Sequence, residues 1–382
     1  MNKSKYDSCR IQKLKLQIYL MVYKVIGLMS GSSLDGLDMA YVELQEAAGK
    51  WTYEIINSSC VEYDINWKNK LKEAVHLPAR DYEILHSDYG KFTGEKINDF
   101  IESNDLQHKV NLVASHGHTT FHLPEKQMTH QLGNGAAIAA ETRLPVVSDL
   151  RALDVALGGQ GAPIVPIGER LLFAEYNYFL NLGGIANLSV NSGNEMIAFD
   201  VCSANRITNM LAEEKGFAFD DEGKIAAGGK TNTDLLEKLN SLAYFKFPYP
   251  KSLANTFGTD IIFPIVKSFA ISTEDALATF TEHLCVQLKR SLHPFKKEER
   301  QKLFITGGGA FNTFLINTLR EELKEINFEI YIPDDQVVKY KEALIMALLG
   351  ALRWREQFTV FSSVTGASRD SIGGALWLGT EA

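Results

Sequence analysis

An apolar run from Met21 to Leu28 breaks into small residues at Ser30 to Ser33 and resumes from Leu37 to Leu44. That pattern predicts a strand, a tight turn and a second strand. Thr52 to Ser58 reads as a third strand, Leu71, Ala74 and Val75 have helical spacing, and a longer helix covers about Tyr82 to Ser103. An apolar strand from Val110 then runs into polar Ser115-His116-Gly117-His118-Thr119, and a helix Ala136 to Thr142 and a strand Pro145 to Ser148 follow. The second half has the same style. Tyr178 to Val190 is strand, glycine turn and strand, and Glu195 to Asp200 is a third strand, with a helix from about Arg206. Two strand-hairpin-strand units opening two halves of one chain are what an internally duplicated α/β fold leaves behind. Further on, Phe263 to Phe269 begins a helical region that continues through Ala276 to Leu292. Lys302 to Thr306 is a strand ending in three glycines, and a helix spans about Asn312 to Glu325. Lys341 to Arg353 reads as a mostly buried helix, and Ser363 to Trp377 as a polar loop packed back on the body.

A chain of 382 residues suits two domains. The expected division is an extension at 1–20, a first domain of 21–147 plus about 363–382, and a second of 148–362. The net charge of −8 argues against a partner bound by neutralising nucleic-acid phosphates, and points instead to a small-molecule ligand. Cys9, Cys60, Cys202 and Cys285 lack the spacing of a zinc site or disulfide framework, which fits a reducing cytoplasm. Basic residues before Ile18 superficially resemble a signal sequence, but Lys24 interrupts the apolar part, which is also too short to span a membrane.

Candidate chemistry gathers at the glycine turns. Gly31, Ser32, Ser33, Leu34, Asp35, Gly36, Leu37 and Asp38 form a hairpin tip whose glycines and hydroxyls can wrap an anion. Asp35 and Asp38 can hold Mg²⁺ beside it, although the same letters also satisfy ordinary turn geometry. Gly307, Gly308 and Gly309, between a strand and a helix, leave room for a flat group or a phosphate on bare backbone. Asp200, at a strand end beside a helix start, is either an N-cap or a general base. Arg151 and Asp154, three apart, either pair with each other or face a polar ligand, and a salt bridge is the simpler expectation. His116 and His118 would share a strand face, without the acidic or cysteine companions of a metal site. Gly223 to Thr231 imitates a P-loop, but has one residue too many between its glycines and no buried strand before it.

Seven segments together resemble the anhydro-N-acetylmuramic acid kinase family. They are Gly-Leu-Met-Ser-Gly-Ser-Ser-Leu-Asp-Gly-Leu-Asp from Gly27, Ser-His-Gly-His-Thr from Ser115, Pro-Val-Val-Ser-Asp-Leu-Arg from Pro145, Gly-Gly-Gln-Gly-Ala-Pro from Gly158, Asn-Leu-Gly-Gly-Ile-Ala-Asn from Asn181, Thr-Gly-Gly-Gly-Ala-Phe-Asn from Thr306 and Ser-Val-Thr-Gly-Ala-Ser from Ser363. The resemblance runs from about residue 21 to the end. It implies a two-domain actin-like (ribonuclease H-like) ATPase fold with duplicated mixed sheets and a central cleft. It also implies a cytoplasmic enzyme of cell-wall recycling that uses ATP, with Mg²⁺, and water to convert 1,6-anhydro-N-acetylmuramic acid into N-acetylmuramic acid 6-phosphate. Asp200 matches the family's catalytic aspartate. Residues 31–38 would supply phosphate donors, with Asp35 as the Mg²⁺ ligand, and Gly307 to Gly309 would border the adenosine. The amino sugar is expected near His116, Gly117, Arg151, Asp154, Gln160, Asn205 and Glu342, and a homodimer is consistent with the family. One departure stands out. The family follows its aspartate with Thr-Gly-Pro-Gly-Asn, whereas this chain has Val201-Cys202-Ser203-Ala204-Asn205, which keeps only the asparagine.

Overall fold

The computed structural model describes residues 21–31, 34–193, 196–249, 251–254 and 256–379. Its first half contributes strands β1 (Met21–Ser30), β2 (Gly36–Ala47), β3 (Lys50–Glu62), β4 (Leu112–Leu123), β5 (Met128–Leu132) and β6 (Val146–Ser148). The second contributes β7 (Tyr178–Leu182), β8 (Ile185–Asn191), β9 (Met196–Ser203), β10 (Gln301–Thr306), β11 (Phe328–Tyr331) and β12 (Ala375–Trp377).

The first sheet runs β12-β6-β4-β1-β2-β3, with β5 beside β4, and the second runs β11-β10-β7-β8-β9. Each half therefore starts with an antiparallel meander, β1-β2-β3 or β7-β8-β9, and then adds parallel strands on the far side of its first strand. With β5 set aside as a hairpin partner of β4, both sheets run third-second-first-fourth and then a further parallel strand, the ribonuclease H-like order, duplicated as in actin-like ATPases. Local sequence explains the roles. Val25, Ile26 and Leu28 on β1 are fully buried, as a central strand covered on both faces must be, whereas β3 alternates exposed and half-buried positions at a sheet edge.

The helix Asp335–Trp354 is buried almost continuously from Ala343 to Leu352 and packs on β1, β2 and β4 while also touching β10. One apolar cluster runs from Val25 and Val42 through Ala343, Leu344 and Ala347 to Phe179 and Phe304, so this helix is a layer shared by both sheets. Small residues set its depth. A Cβ at Gly27 would stand 2.0 Å from the Ala343 carbonyl oxygen, and one at Gly350 would stand 2.6 Å from the Ala114 Cβ. Helix and sheet meet backbone to backbone.

Two details differ from the sequence expectation. The region from Phe263 to Leu292 is two helices, Phe263–Ser268 and Thr273–Leu292, because the Ser272 hydroxyl accepts from the Asp275 N–H and starts a new helix. The tail is more than a loop: Ala375–Trp377 pairs antiparallel with β6 and closes the sheet edge. The P-loop-like stretch from Gly223 is a short helical turn, with the Asp220 carboxylate accepting from Ile225 and Ala226 N–H groups. Among the described residues, no helix is long and apolar enough to cross a membrane.

The flush contact predicts a stability loss. Gly27→Ala forces backbone atoms apart and is expected to cost about 1–3 kcal/mol in urea unfolding. An unchanged midpoint would show that helix and strand separate freely.

Candidate active site

Asp200 lies on β9, the edge strand of the second sheet, and Asn187 lies directly opposite it on β8. The Asn187 amide donates to Oδ1, and the Leu253 backbone N–H donates to Oδ2 at 2.7 Å. A strap formed by Lys251 to Leu253 covers this edge, its Lys251 carbonyl accepting from the Asp200 N–H at 3.0 Å. The Tyr244 hydroxyl donates to the Asp200 carbonyl at 2.6 Å. Burial raises the Asp200 pKa, and the two donors on its carboxylate pull the other way. The carboxylate is not an N-cap. The helix Asn205–Glu213 starts beyond it, with Ala204 in the cap position and no side-chain cap.

Arg151 and Asp154 were expected to pair, and they do not. They grip the same residue: Arg151 Nη1 donates to the Gly161 carbonyl at 2.5 Å, and the Gly161 N–H donates to Asp154 Oδ2 at 2.7 Å. Gly161 has φ +64°, and a Cβ there would stand 2.4 Å from Val155 Cγ2, so only glycine fits. Arg151 Nε also donates to His116 Nε2 at 2.7 Å, and burial together with that cation pushes the His116 pKa down to about 3. His116 is thus a neutral acceptor that orients the guanidinium. The Thr365 hydroxyl donates to Asp154 Oδ1 at 2.6 Å, and its carbonyl accepts from the exposed Gln160 at 2.8 Å. The turn Ser362–Thr365 packs against β9, so the loop carrying Arg151, Asp154 and Gln160 borders the strand of Asp200.

Glu342 follows the buried pair of Lys341 and Glu169, whose N and O atoms are 2.9 Å apart with both side chains 3 % exposed. The shared helix is non-helical at Tyr340 (φ −117°, ψ 16°), just before these residues. Burial raises the Glu342 pKa, while Lys341 and Arg151 oppose the rise. Glu342 in turn acts on Asp38, raised to about 6 chiefly by burial, with Asp35 adding to the effect. The first hairpin and the shared helix therefore face each other through carboxylates.

At the hairpin, Gly31, exposed Asp35 and half-buried Asp38 line one end, and the Leu34 N–H donates to the Gly31 carbonyl at 3.3 Å. Leu37 is 2 % exposed and belongs to the core, so it offers backbone alone. Gly36 packs on β3, where a Cβ would stand 2.6 Å from Cys60 Sγ. Ser32 and Ser33 lie outside the described residues. Gly117 has φ +74° and marks the point where the β1 to β4 register shifts.

Gly307, Gly308 and Gly309 sit against the β7 to β8 turn. Gly307 has φ +85°, and a Cβ there would stand 2.8 Å from the Leu182 carbonyl oxygen. Gly308 is exposed, and its Cβ position meets nothing nearer than Asn205 Nδ2 at 3.5 Å. Asn205 joins this glycine site, donating to the Leu182 carbonyl at 2.8 Å. The Cβ position of Gly184 is open to 3.9 Å, where Arg206 begins, and Arg206 Nε is buried without a partner. Bare backbone with an orphaned cationic donor suits an anionic ligand such as a nucleotide. Among the described residues, no cluster of three or more His, Cys, Asp or Glu could hold a metal ion.

Asn187, Tyr244, Leu253 and Thr365 were not singled out from the sequence. Asn187 had a signal, since it ends the Asn-Leu-Gly-Gly-Ile-Ala-Asn segment and the hairpin register carries it to Asp200. Thr365 also had one, inside the Ser-Val-Thr-Gly-Ala-Ser segment, whereas Tyr244 and Leu253 come from distant segments with no local mark.

Residues 23–379 match the anhydro-N-acetylmuramic acid kinase family. A protein of that name from Sulfurimonas denitrificans is 32% identical, covering 92% of this chain and 98% of its own. Others of that name, from Bacillus thuringiensis subsp. konkukian and Hydrogenovibrio crunogenus, are each 29% identical over 92% of this chain. They cover 98% and 97% of their own lengths. Component A of Acidaminococcus fermentans (R)-2-hydroxyglutaryl-CoA dehydratase aligns with a TM-score of 0.45 at 12% identity, covering 86% of this chain and 97% of that one.

The balance at Asp200 is measurable by carboxyl-carbon NMR. Its titration is expected above the ordinary 3.8, and Asn187→Leu should move it higher still, because a donor to the charged form is lost. A downward shift in that variant would contradict the assignment.

Proposed function

The chain belongs to the anhydro-N-acetylmuramic acid kinase family, and we propose that it uses ATP and water to convert 1,6-anhydro-N-acetylmuramic acid into N-acetylmuramic acid 6-phosphate, with Asp200 as the base. The observation that carries the residue assignment is the double hold on the Asp200 carboxylate by Asn187 and Leu253. Burial raises its pKa and so makes it a better base than an exposed aspartate, while the two donors favour its ionised form.

Asp200 removes a proton from water as the water oxygen attacks the anomeric carbon. The bond from that carbon to the bridging oxygen breaks, and the freed oxygen attacks the terminal phosphoryl group in line, releasing ADP. Asp200 then returns its proton to solvent. Mg²⁺, when held at Asp35 and Asp38, supplies charge neutralisation. Gly31 to Asp38 lie at the phosphates, while Gly307 to Gly309 and Asn205 border the nucleoside. Asn205 is thereby moved from the sugar to the nucleotide side, because its amide faces Gly308 and Leu182.

Arg151, His116, Gly117, Asp154 and Gln160 form the sugar-facing wall with Glu342. The clamp on Gly161 holds that wall without using the outer faces of Arg151 and Gln160. Catalysis in the cytoplasm fits a recycled cell-wall sugar and free thiols at Cys60, Cys202 and Cys285.

A coupled ADP-release assay with the anhydro sugar, N-acetylmuramic acid, N-acetylglucosamine and glucose tests this reading. The anhydro sugar should be preferred, with a 6-phosphate product by mass. Asp200→Asn should retain nucleotide affinity and lose about 10²–10⁴-fold in turnover. Near wild-type kcat in that variant would remove Asp200 from the role.

A further inference from the structure

Beside the first hairpin lies a buried chain of polar groups that no step above uses. Ser30, the last residue of β1 and next to Gly31, is 2 % exposed. Its Oγ is 3.0 Å from His118 Nδ1, and it accepts from the Tyr63 hydroxyl at 2.8 Å. The Tyr63 and Tyr89 hydroxyls are 2.5 Å apart. Ser30, His118, Tyr63 and Tyr89 come from β1, β4, the end of β3 and the helix Ala79–Ser103, so four elements converge on one hydroxyl.

Counting protons gives the chain a direction. Tyr63 spends its only proton on Ser30, so Tyr89 donates to Tyr63, and Ser30 keeps a proton of its own that it can give to His118 Nδ1. With that proton on the Ser30 to Nδ1 line, the imidazole is the Nε2–H tautomer. Burial pushes the His118 pKa down to about 4, which keeps the ring neutral. His118 is 5 % exposed, yet Nε2 is not among the buried polar atoms without a partner, and no described group accepts from it. A ring held at Nδ1 in this way has Nε2–H to offer to a ligand.

We propose that His118 is a further residue of the nucleotide site, a neutral imidazole that donates its Nε2–H to the terminal phosphoryl group of ATP. The inference rests on the reading of Gly31 to Asp38 as the phosphate hairpin. A neutral donor suits this position, because it holds a phosphoryl oxygen without competing with Mg²⁺ for charge. His118 is distinct from His116, whose Nε2 is already committed to Arg151.

Calorimetric titration with Mg²⁺·ADP and with Mg²⁺ and the β,γ-imido analogue of ATP tests this without any sugar. In His118→Asn the amide oxygen replaces Nδ1 and preserves the Ser30 bond, but the Nε2 donor is gone. In His118→Gln the amide nitrogen reaches the Nε2 position. The Asn variant should lose about tenfold in analogue affinity, with ADP affinity changed by less than about twofold, and the Gln variant should keep both. Tyr63→Phe, which leaves the ring but frees Ser30, should weaken the analogue by about threefold. Equal losses for ADP and the analogue, or restoration by Asn but not Gln, would overturn the proposal and make the chain a support for Ser30. Because the readout is binding, a wild type that binds both nucleotides but ignores the anhydro sugar would sink the functional reading and leave His118 standing. A wild type that binds neither nucleotide would overturn both.

Discussion

The architecture depends on one close approach, the helix Asp335–Trp354 lying flush on β1 through Gly27, Ala343 and Ala347 and on β4 through Gly350. Small residues there bring backbone onto backbone, and the larger Leu344, Leu348 and Leu352 fill the space around them. Because the same helix belongs to the core behind the second sheet, its depth on β1 also sets the spacing of the two sheets. The break at Tyr340 lets the chain leave the helical path just before Lys341 and Glu342. Lys341 is then anchored to Glu169 out of water, a pair that is costly to break from one side. Glu342 consequently projects beside Arg151 and Asp38 from a rigid support.

Three carboxyl groups with raised pKa values, Asp38, Asp200 and Glu342, are held by three different devices. Asp38 is crowded by other acids, Glu342 is offset by Lys341 and Arg151, and Asp200 is offset by two neutral donors. Only the last arrangement gives a partly desolvated carboxylate offset by neutral donors and not by a cation that would blunt its basicity. That difference, more than its place at a strand end, is what supports the proposal that Asp200 is the proton acceptor for water. The altered Val201 to Ala204 segment continues β9 and then turns into the helix at Asn205. The strand end therefore forms without the Gly-Pro-Gly turn of its relatives, and Asn205 still reaches Leu182.

Much of this was legible in the chain. The two meanders were visible as apolar runs interrupted by Gly31 and by Gly183-Gly184, and the duplicated strand order follows from them. What escaped depended on tertiary placement. Arg151 and Asp154 have spacing that suits an ion pair, but both were drawn to the backbone of Gly161. Asp200 was named from the sequence as either a cap or a base, but the Lys251 to Leu253 strap that donates to it lies some fifty residues away and carried no local mark. Tyr63 and Tyr89 were not singled out, because nothing local reveals that their hydroxyls converge on Ser30.

The central claim is that Asp200 activates water and that the sugar's own bridging oxygen receives the phosphoryl group. Single-turnover reaction in ¹⁸O-labelled water, quenched early and compared with preformed N-acetylmuramic acid 6-phosphate as an exchange control, tests it most directly. Label is expected at C1 of the sugar phosphate in excess of the control, and none in the phosphate. Label in the phosphate, or product formed with no label at C1, would contradict it.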